Sequence, residues 1–332
     1  MKSCIVPLTL LLVTRAVSGE PRCSAGRVAV PKDTESFECI TVEELQHQKL
    51  FLEGTRRFEA ESATRFLLWT QSSGANEVEE LRLNDLAALQ NSTFDIRSPT
   101  RILIHGWLND WKSAAVRGLA QAYVAKGAYN VIGIDWSAGA STIVYLAARL
   151  RVGAVADAVA KQIELLLRAG QHPSQIVLVG HSLGAHIAGL AGKHFQAERK
   201  LAAVIALDPA GPLFGADKPL ERVDAQDAMY VEVIHTNKGL LGHRDALGQA
   251  DFYPNGGRSQ PGCLTNTCSH HQAVEYFRRT LTGSRVPLYT GRRCEAANVN
   301  DGCDGALAVM GGDLNDIFKT KMSGLFYLTI GK

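Results

Sequence analysis

No stretch of this sequence is apolar for long enough to cross a bilayer as a helix; the best candidate, residues 5–13, falls well short of the roughly 20 residues required. Neither sign of charge dominates. The 332 residues carry 35 Lys and Arg against 33 Asp and Glu, a formal net charge of +2, which gives no support for nucleic-acid binding. Internal repeats, low-complexity tracts and long charge runs are missing too. What is left is an ordinary globular composition, 46% apolar and 20% charged, long enough for one large or two small domains.

Cysteine is scarce, but its count is informative. The chain starts Met1-Lys2-Ser3-Cys4, continues with the short apolar run and reaches Val17-Ser18-Gly19. A basic start, an apolar core and small residues at the end make a secretory leader over residues 1–19. Its removal takes away Lys2 and Arg15, bringing the formal charge to zero, and Cys4, leaving six of the seven cysteines. An even count in a secreted chain predicts disulfides. The clustering into three close pairs favours Cys23 with Cys39, Cys263 with Cys268 and Cys294 with Cys303. Asn91-Ser92-Thr93 is the single N-glycosylation sequon. An extracellular protein is expected.

Residues 20–60 read as polar and irregular, fastened by Cys23 and Cys39. Segments 64–70, 100–104, 130–136, 176–179, 202–207 and 229–235 read as strands. Segments 112–126 and 151–168 read as helices, stopped by Gly127 and by Gly170 with Pro173. This alternation predicts the α/β class, a mostly parallel sheet covered on both faces. Such a sheet places functional groups beyond the carboxyl ends of its strands. His105, Ser182 and Asp208 each follow one.

Ser182 lies in Gly180-His181-Ser182-Leu183-Gly184, between a buried strand and a run rich in Ala, Leu and Gly with helical spacing. In that context the pattern is a nucleophile elbow, a sharp strand-to-helix turn that exposes the serine and needs glycines for closure. The bare motif also occurs by chance in structural glycine-rich turns; the strand–turn–helix setting favours catalysis. A serine hydroxyl is a weak nucleophile at neutral pH, so it needs a base, and the base an orienting acid. In α/β-hydrolases the chain order is Ser, then Asp or Glu, then His. Of the ten histidines, order and placement leave His243, His270 and His271. Asp208, directly after an apolar strand, is the candidate acid, with a turn-forming Asp before Pro as the plain alternative. Asp217, Asp224 and Asp227 lie in a polar loop and are expected to be solvated. His243, in a glycine-containing loop, is expected to be exposed. Ser269 with Gln272 fits a capping box that starts a helix at His270, where the positive helix end would keep an imidazole neutral. These local arguments do not separate His270 from His271.

Several segments together carry a resemblance: His105-Gly106-Trp107, Asp135-Trp136-Ser137, Gly180-His181-Ser182-Leu183-Gly184-Ala185-His186, Leu207-Asp208-Pro209-Ala210, Val233-Ile234-His235-Thr236, Asp251-Phe252-Tyr253-Pro254-Asn255-Gly256-Gly257 and Cys268-Ser269-His270. Over about residues 60–330 the chain resembles the pancreatic lipase family, α/β-hydrolases acting on acylglycerols and phospholipids. The resemblance implies a Ser182, Asp208, His270 triad, because the family's base follows the second lid cysteine by two residues. It implies an oxyanion hole from the backbone N–H groups of Trp107 and Leu183, and no cofactor. Some members hold a structural calcium in the loop matching residues 219–227. Here Asp224 and Asp227 keep carboxylates while Pro219 stands where an acidic residue is expected, so a solvated acidic loop is the preferred reading. Larger members add a C-terminal β-sandwich. This chain ends at Lys332, shortly after Gly324-Leu325-Phe326-Tyr327-Leu328-Thr329, which resembles the end of the catalytic domain. A single catalytic domain over residues 20–332 is therefore expected, without a β-sandwich or colipase-type partner, acting as a monomer at a lipid surface.

Cys263 and Cys268 enclose only Leu264-Thr265-Asn266-Thr267, too few residues for a useful helix or for a reach across an active site. The loop over 237–250 also looks short. Both features resemble the short-lid phospholipase A1 branch and the single-domain insect-type lipases, which implies sn-1 cleavage of phospholipids. A short-lid triacylglycerol lipase or carboxylesterase is the alternative within the class. Outside it stands a non-catalytic, lipase-like lipid-binding or yolk-type protein. Such relatives lose the nucleophile, whereas Ser182, Asp208 and His270 are all present here.

Overall fold

The computed structural model describes residues 21–54, 58–74, 77–283, 288–295, 299, 301–314 and 322–331; the leader expected over residues 1–19 lies outside them. The first described segment corrects the expectation of an irregular stretch. A hairpin of β1 (Arg27–Pro31) and β2 (Phe37–Thr41) runs directly into helix α1 (Val42–Gly54). Its turn is set by Asp33, whose Oδ1 accepts from the N–H groups of Glu35 (2.8 Å) and Ser36 (2.7 Å). The helix start is a reciprocal capping box: Glu44 N–H donates to Thr41 Oγ1 (3.0 Å) and Thr41 N–H to Glu44 Oε2 (2.7 Å). Helix α1 buries none of its residues, so no apolar periodicity announces it.

A short helix α2 (Ala60–Ala63) then leads into β3 (Arg65–Trp69), β4 (Glu79–Leu81), α3 (Leu86–Gln90) and β5 (Thr100–Ile104). A π-helical turn over Ala114–Gly118 continues as α4 (Leu119–Lys126), which stops at Gly127. There follow β6 (Asn130–Asp135), α5 (Ser137–Ala140), α6 (Tyr145–Arg168), β7 (Ile176–His181), α7 (Leu183–Lys193) and β8 (Ala203–Leu207). The chain continues through β9 (Tyr230–Ile234), β10 (Ala250–Pro254), α8 (Asn266–Thr282), β11 (Thr290–Cys294), β12 (Leu307–Val309) and β13 (Gly324–Leu328). Helix α6 starts earlier than its expected residue 151. Tyr145, Leu146 and Ala148 are buried there, and packing carries the helix backward where Val144 supplies no side-chain cap.

Sheet order is β12-β11-β13-β10-β9-β8-β7-β5-β6-β3-β4. The stretch from β13 to β6 is parallel throughout, and antiparallel strands finish both edges. Alternate residues of the central strands feed two cores, as the two-residue period of a strand demands. Ile102, Ile104, Leu178 and Val204 pack with α6 and α7 on one face. Leu103, Val177, Val179 and Ile205 pack with α4 and α8 on the other. Each of these side chains is buried, worth roughly 1.5–3 kcal/mol apiece relative to exposure. Beneath the second core, Arg101 on β5 donates to Asp313 (Nη2–Oδ1 2.5 Å), and Tyr129 donates to the other carboxylate oxygen. This buried pair ties residues 212 positions apart. The six cysteines pair as expected: Cys23 with Cys39, Cys263 with Cys268, Cys294 with Cys303. Asn91 is exposed at the carboxyl end of α3. No helix of the described residues is long and apolar enough to cross a membrane.

Candidate active site

Three carboxyl strand ends meet over one cavity. Strand β7 ends at His181, and Ser182 makes the turn into α7 with φ 59° and ψ −123°. That left-handed backbone is strained for a serine. The bend is possible only because its flanks lack side chains. A Cβ on Gly180 would lie 2.1 Å from the carbonyl oxygen of Gly184, and one on Gly184 would lie 2.4 Å from that of Ile104. The Ser182 N–H donates to Leu207 O (3.1 Å), which stitches the elbow to the end of β8.

Asp208 follows β8 at once and is fully buried. Its N–H donates to Ile234 O at the end of β9 (2.8 Å). Its Oδ1 accepts from the N–H groups of Thr236 (2.8 Å) and Asn237 (3.1 Å), and its Oδ2 from Nδ1 of His270 (2.6 Å). The carboxylate is thus held by three donors in a place no water needs to fill. Gly242 closes over it, where a Cβ would come within 2.5 Å of Oδ1.

His270 lies on α8, whose first residue is Asn266 and whose cap is Thr265; the Thr265 side chain accepts from Cys268 N–H (3.1 Å). The expected capping box at Ser269 is therefore a correction. Ser269 is inside the helix, and its Oγ accepts from Gln260 N–H (3.1 Å). His270 consequently sits a turn into the helix, beyond the helix-end effect proposed for its charge. With its Nδ1–H given to Asp208, a neutral ring leaves Nε2 as the acceptor. His271 instead donates its Nδ1–H to Thr267 O (2.9 Å). The structure thereby separates two histidines that local sequence arguments leave equal. A third ring joins them: His181 stands 4.5 Å from His270 and 4.9 Å from His271, centroid to centroid, and donates to His270 O (3.1 Å). Burial, reinforced by the neighbouring imidazoles, pushes the pKa of His181 and of His271 down.

Ser182 and His270 line a cavity of about 230 Å³ with Trp107, Tyr145, His181 and His271 among its walls. The loop carrying Trp107 is pinned from several sides. Trp136 N–H donates to His105 Nε2 (3.1 Å) and its indole to His105 O (2.8 Å). The Trp107 indole donates to Thr142 O (2.6 Å) and packs edge-on against Tyr145. Leu183 is the first residue of α7, so its N–H has no acceptor within its own helix.

Two other expectations need correction. His243 is buried, with Nε2 donating to Phe214 O (3.0 Å) and Nδ1 accepting from Asp245 N–H (3.1 Å). Asp227 is buried too, paired with Lys193 and accepting from Asp224 N–H (2.7 Å), while Asp217 is exposed. Burial pushes the Asp227 carboxyl up to about 6 despite the neighbouring ammonium. With Asp227 committed to Lys193 and Asp224 to Arg222, these residues do not fit a calcium cage, which needs carboxylates free to face the ion. Sequence reasoning also missed Tyr145, Pro31 and Thr34 as cavity walls; nothing in their local pattern signals it.

A model of the family described as Lipase matches residues 34–298. The chain belongs to the Lipase family. As a member it is 38% identical over 230 residues to Lipase member H of Mus musculus, covering 66% of this chain and 49% of that protein. It is 34% identical over 227 residues to Pancreatic lipase-related protein 2 of Cavia porcellus, covering 66% and 51%. The chain thus spans about half the length of the curated relatives it matches. Among solved structures, an alpha/beta hydrolase enzyme from a deep-sea metagenome library is similar, with 17% identity, TM-score 0.29, and coverage of 52% of this chain and 69% of that one. The parallel sheet, its two helical layers and the elbow after β7 make this family member an α/β-hydrolase fold.

Proposed function

We propose that this chain is a secreted serine hydrolase that cleaves acyl esters of lipids, with Ser182 as nucleophile, His270 as general base and Asp208 as its orienting acid. The observation that carries the reading is the bond from His270 Nδ1 to buried Asp208, with Ser182 and His270 on one cavity. In the proposed cycle Ser182 Oγ attacks the ester carbonyl carbon while His270 Nε2 takes its proton. The negative charge on the carbonyl oxygen is received by the backbone N–H groups of Trp107 and Leu183, of which each is worth about 3 kcal/mol to the transition state. The imidazolium, stabilised by Asp208, then gives its proton to the leaving alcohol oxygen, and the ester C–O bond breaks. Water, deprotonated by the same imidazole, attacks the acyl carbon; the imidazolium returns that proton to Ser182 Oγ as the acyl C–Oγ bond breaks, releasing the fatty acid and free Ser182.

The substrate class we propose is polar lipids cleaved at the sn-1 ester. Support comes from the disulfide loop between Cys263 and Cys268, whose one large apolar side chain, Leu264, is 92% exposed and covers nothing. A site without a large apolar cover does not exclude a charged head group. The proposal includes a glycan at Asn91 and a monomer. Rates on phosphatidylcholine micelles and on emulsified triacylglycerol test it. The reading predicts faster phosphatidylcholine hydrolysis, with lysophospholipid retaining the sn-2 chain as product. A dominant triacylglycerol rate that jumps above the substrate's solubility limit makes the chain a neutral lipase instead. Absence of turnover on any ester makes it a lipid-binding relative.

A further inference from the structure

The four-residue disulfide loop gives the cavity Thr267, and a further wall stands beside it. It comes from the other end of the chain. Pro31 and Thr34, at the tip of the N-terminal hairpin, line the same cavity as Ser182 and His270. The hairpin base is anchored: Val30 and Ile40 join the main core, and Cys23 is bonded to Cys39. Pro31 is buried, and among the described residues one side chain makes the hydrogen bonds that join the tip to α8. Glu35 Oε2 accepts from Asn266 N–H (2.8 Å), and Oε1 accepts from Thr267 N–H (2.9 Å) and from the Thr267 hydroxyl. Asn266 and Thr267 open α8, the helix that carries His270. Their N–H groups are among those a helix leaves without acceptors, and Thr265 already serves the next one, on Cys268. Glu35 therefore completes the cap of α8 from 231 residues away, and a carboxylate suits the positive end of that helix.

We propose that Glu35 latches the hairpin tip onto α8 and thereby makes Pro31 and Thr34 a substrate-selecting wall of the proposed ester-hydrolase site. Glu35 is a positioning residue: it touches no reacting atom and acts through the backbone it holds. Because it is exposed, salt screens its attraction, so the latch is releasable. Substrate size at the cavity then depends on a contact far in sequence from the catalytic residues, and the Cys263–Cys268 loop serves as the ledge on which the tip rests.

The test uses the full disulfide-bonded chain and the variants Glu35→Ala, Glu35→Gln and Thr34→Trp, with two readouts. The first is amide exchange at Asn266 and Thr267, which local opening governs. It is expected to rise at least about tenfold in Glu35→Ala, with Glu35→Gln intermediate because one acceptor oxygen survives. The second is the ratio of kcat/KM for two-chain phosphatidylcholine to that for p-nitrophenyl butyrate. Releasing the wall in Glu35→Ala raises this ratio by about threefold to tenfold, and the added bulk of Thr34→Trp lowers it by a similar factor. Unchanged exchange overturns the latch. A ratio that stays fixed, or that moves the same way in both variants, overturns the wall and leaves Glu35 a structural cap. Should Glu35→Ala fail to fold, Glu35→Gln and Thr34→Trp carry both readouts. If the unaltered chain hydrolyses neither ester, the ester-hydrolase reading and the wall fall together, and exchange alone upholds or overturns the latch.

Discussion

His270 and Asp208 are joined across 2.6 Å by a bond from Nδ1 to Oδ2, although 62 residues separate them. The bond fixes the imidazole tautomer. Asp208 in turn is held by the amides of Thr236 and Asn237, so its second oxygen has little freedom to rotate away. Replacing Asp208 by Asn keeps the shape but offers the ring an amide that can donate. The wrong tautomer then faces Ser182, and ester hydrolysis should fall by about 10⁴-fold. Steady-state rates on a soluble ester measure this, and a loss below tenfold would move the acid elsewhere.

Ser182 occupies a backbone conformation that glycine adopts freely, with φ 59°. Ser182→Gly and Ser182→Ala should both abolish turnover. They should differ in stability, the Gly variant being more stable than the Ala variant by about 1 kcal/mol as strain is relieved. Urea unfolding midpoints decide it. An Ala variant at least as stable as Gly would mean the elbow is not strained.

Three buried histidines, His181, His186 and His243, and the half-buried His271 have their pKa pushed down, in each case chiefly by loss of solvent. A depressed histidine stays neutral in the folded chain while the unfolded chain takes up its proton near pH 6.5. Its contribution is therefore present above about pH 6.5 and lost as pH falls below it. Asp227, pushed up to about 6, acts in the opposite sense as acid is added. The comparison that isolates one group is between the native chain and His271→Gln. From pH 7.5 to 5.5 the native chain should lose more unfolding free energy than the variant. Parallel losses would show that His271 does not titrate differently on folding.

The disulfides close loops of different length, with separations of 16 for Cys23 and Cys39 and 5 for Cys263 and Cys268. A longer loop removes more disorder from the unfolded chain. Paired Cys→Ser replacement should cost about 3 kcal/mol at the first and about 2 kcal/mol at the second. Thermal unfolding under non-reducing conditions tests the order, which a larger loss at the second pair would reverse.

How far the sequence carries the reader depends on the range of the interaction. The elbow at Ser182 is legible because strand, glycines and helix are contiguous, and Asp208 because it directly follows an apolar strand. Local patterns mislead at α8: Ser269 and Gln272 look like a cap, yet Thr265 caps the helix and Ser269 serves Gln260 instead. His270 is chosen over His271 only through resemblance, since the deciding partner is a carboxylate in another part of the chain. Burial of His243 and Asp227 depends on Phe214 and Lys193, which composition does not reveal. The hairpin tip and Glu35 are the least legible of all, because their partners lie more than two hundred residues away.

The central claim is that Ser182 is an activated nucleophile, and covalent labelling with a fluorophosphonate, located by peptide mass spectrometry on the folded, disulfide-bonded chain, tests it most directly. The account predicts a phosphonyl adduct on Ser182 that forms at least about 100-fold more slowly in His270→Ala, since general-base assistance is worth that much or more. It also predicts ordinary labelling of Ser182 in His271→Ala. A folded chain whose Ser182 stays unmodified, or reacts equally fast without His270, would contradict the account.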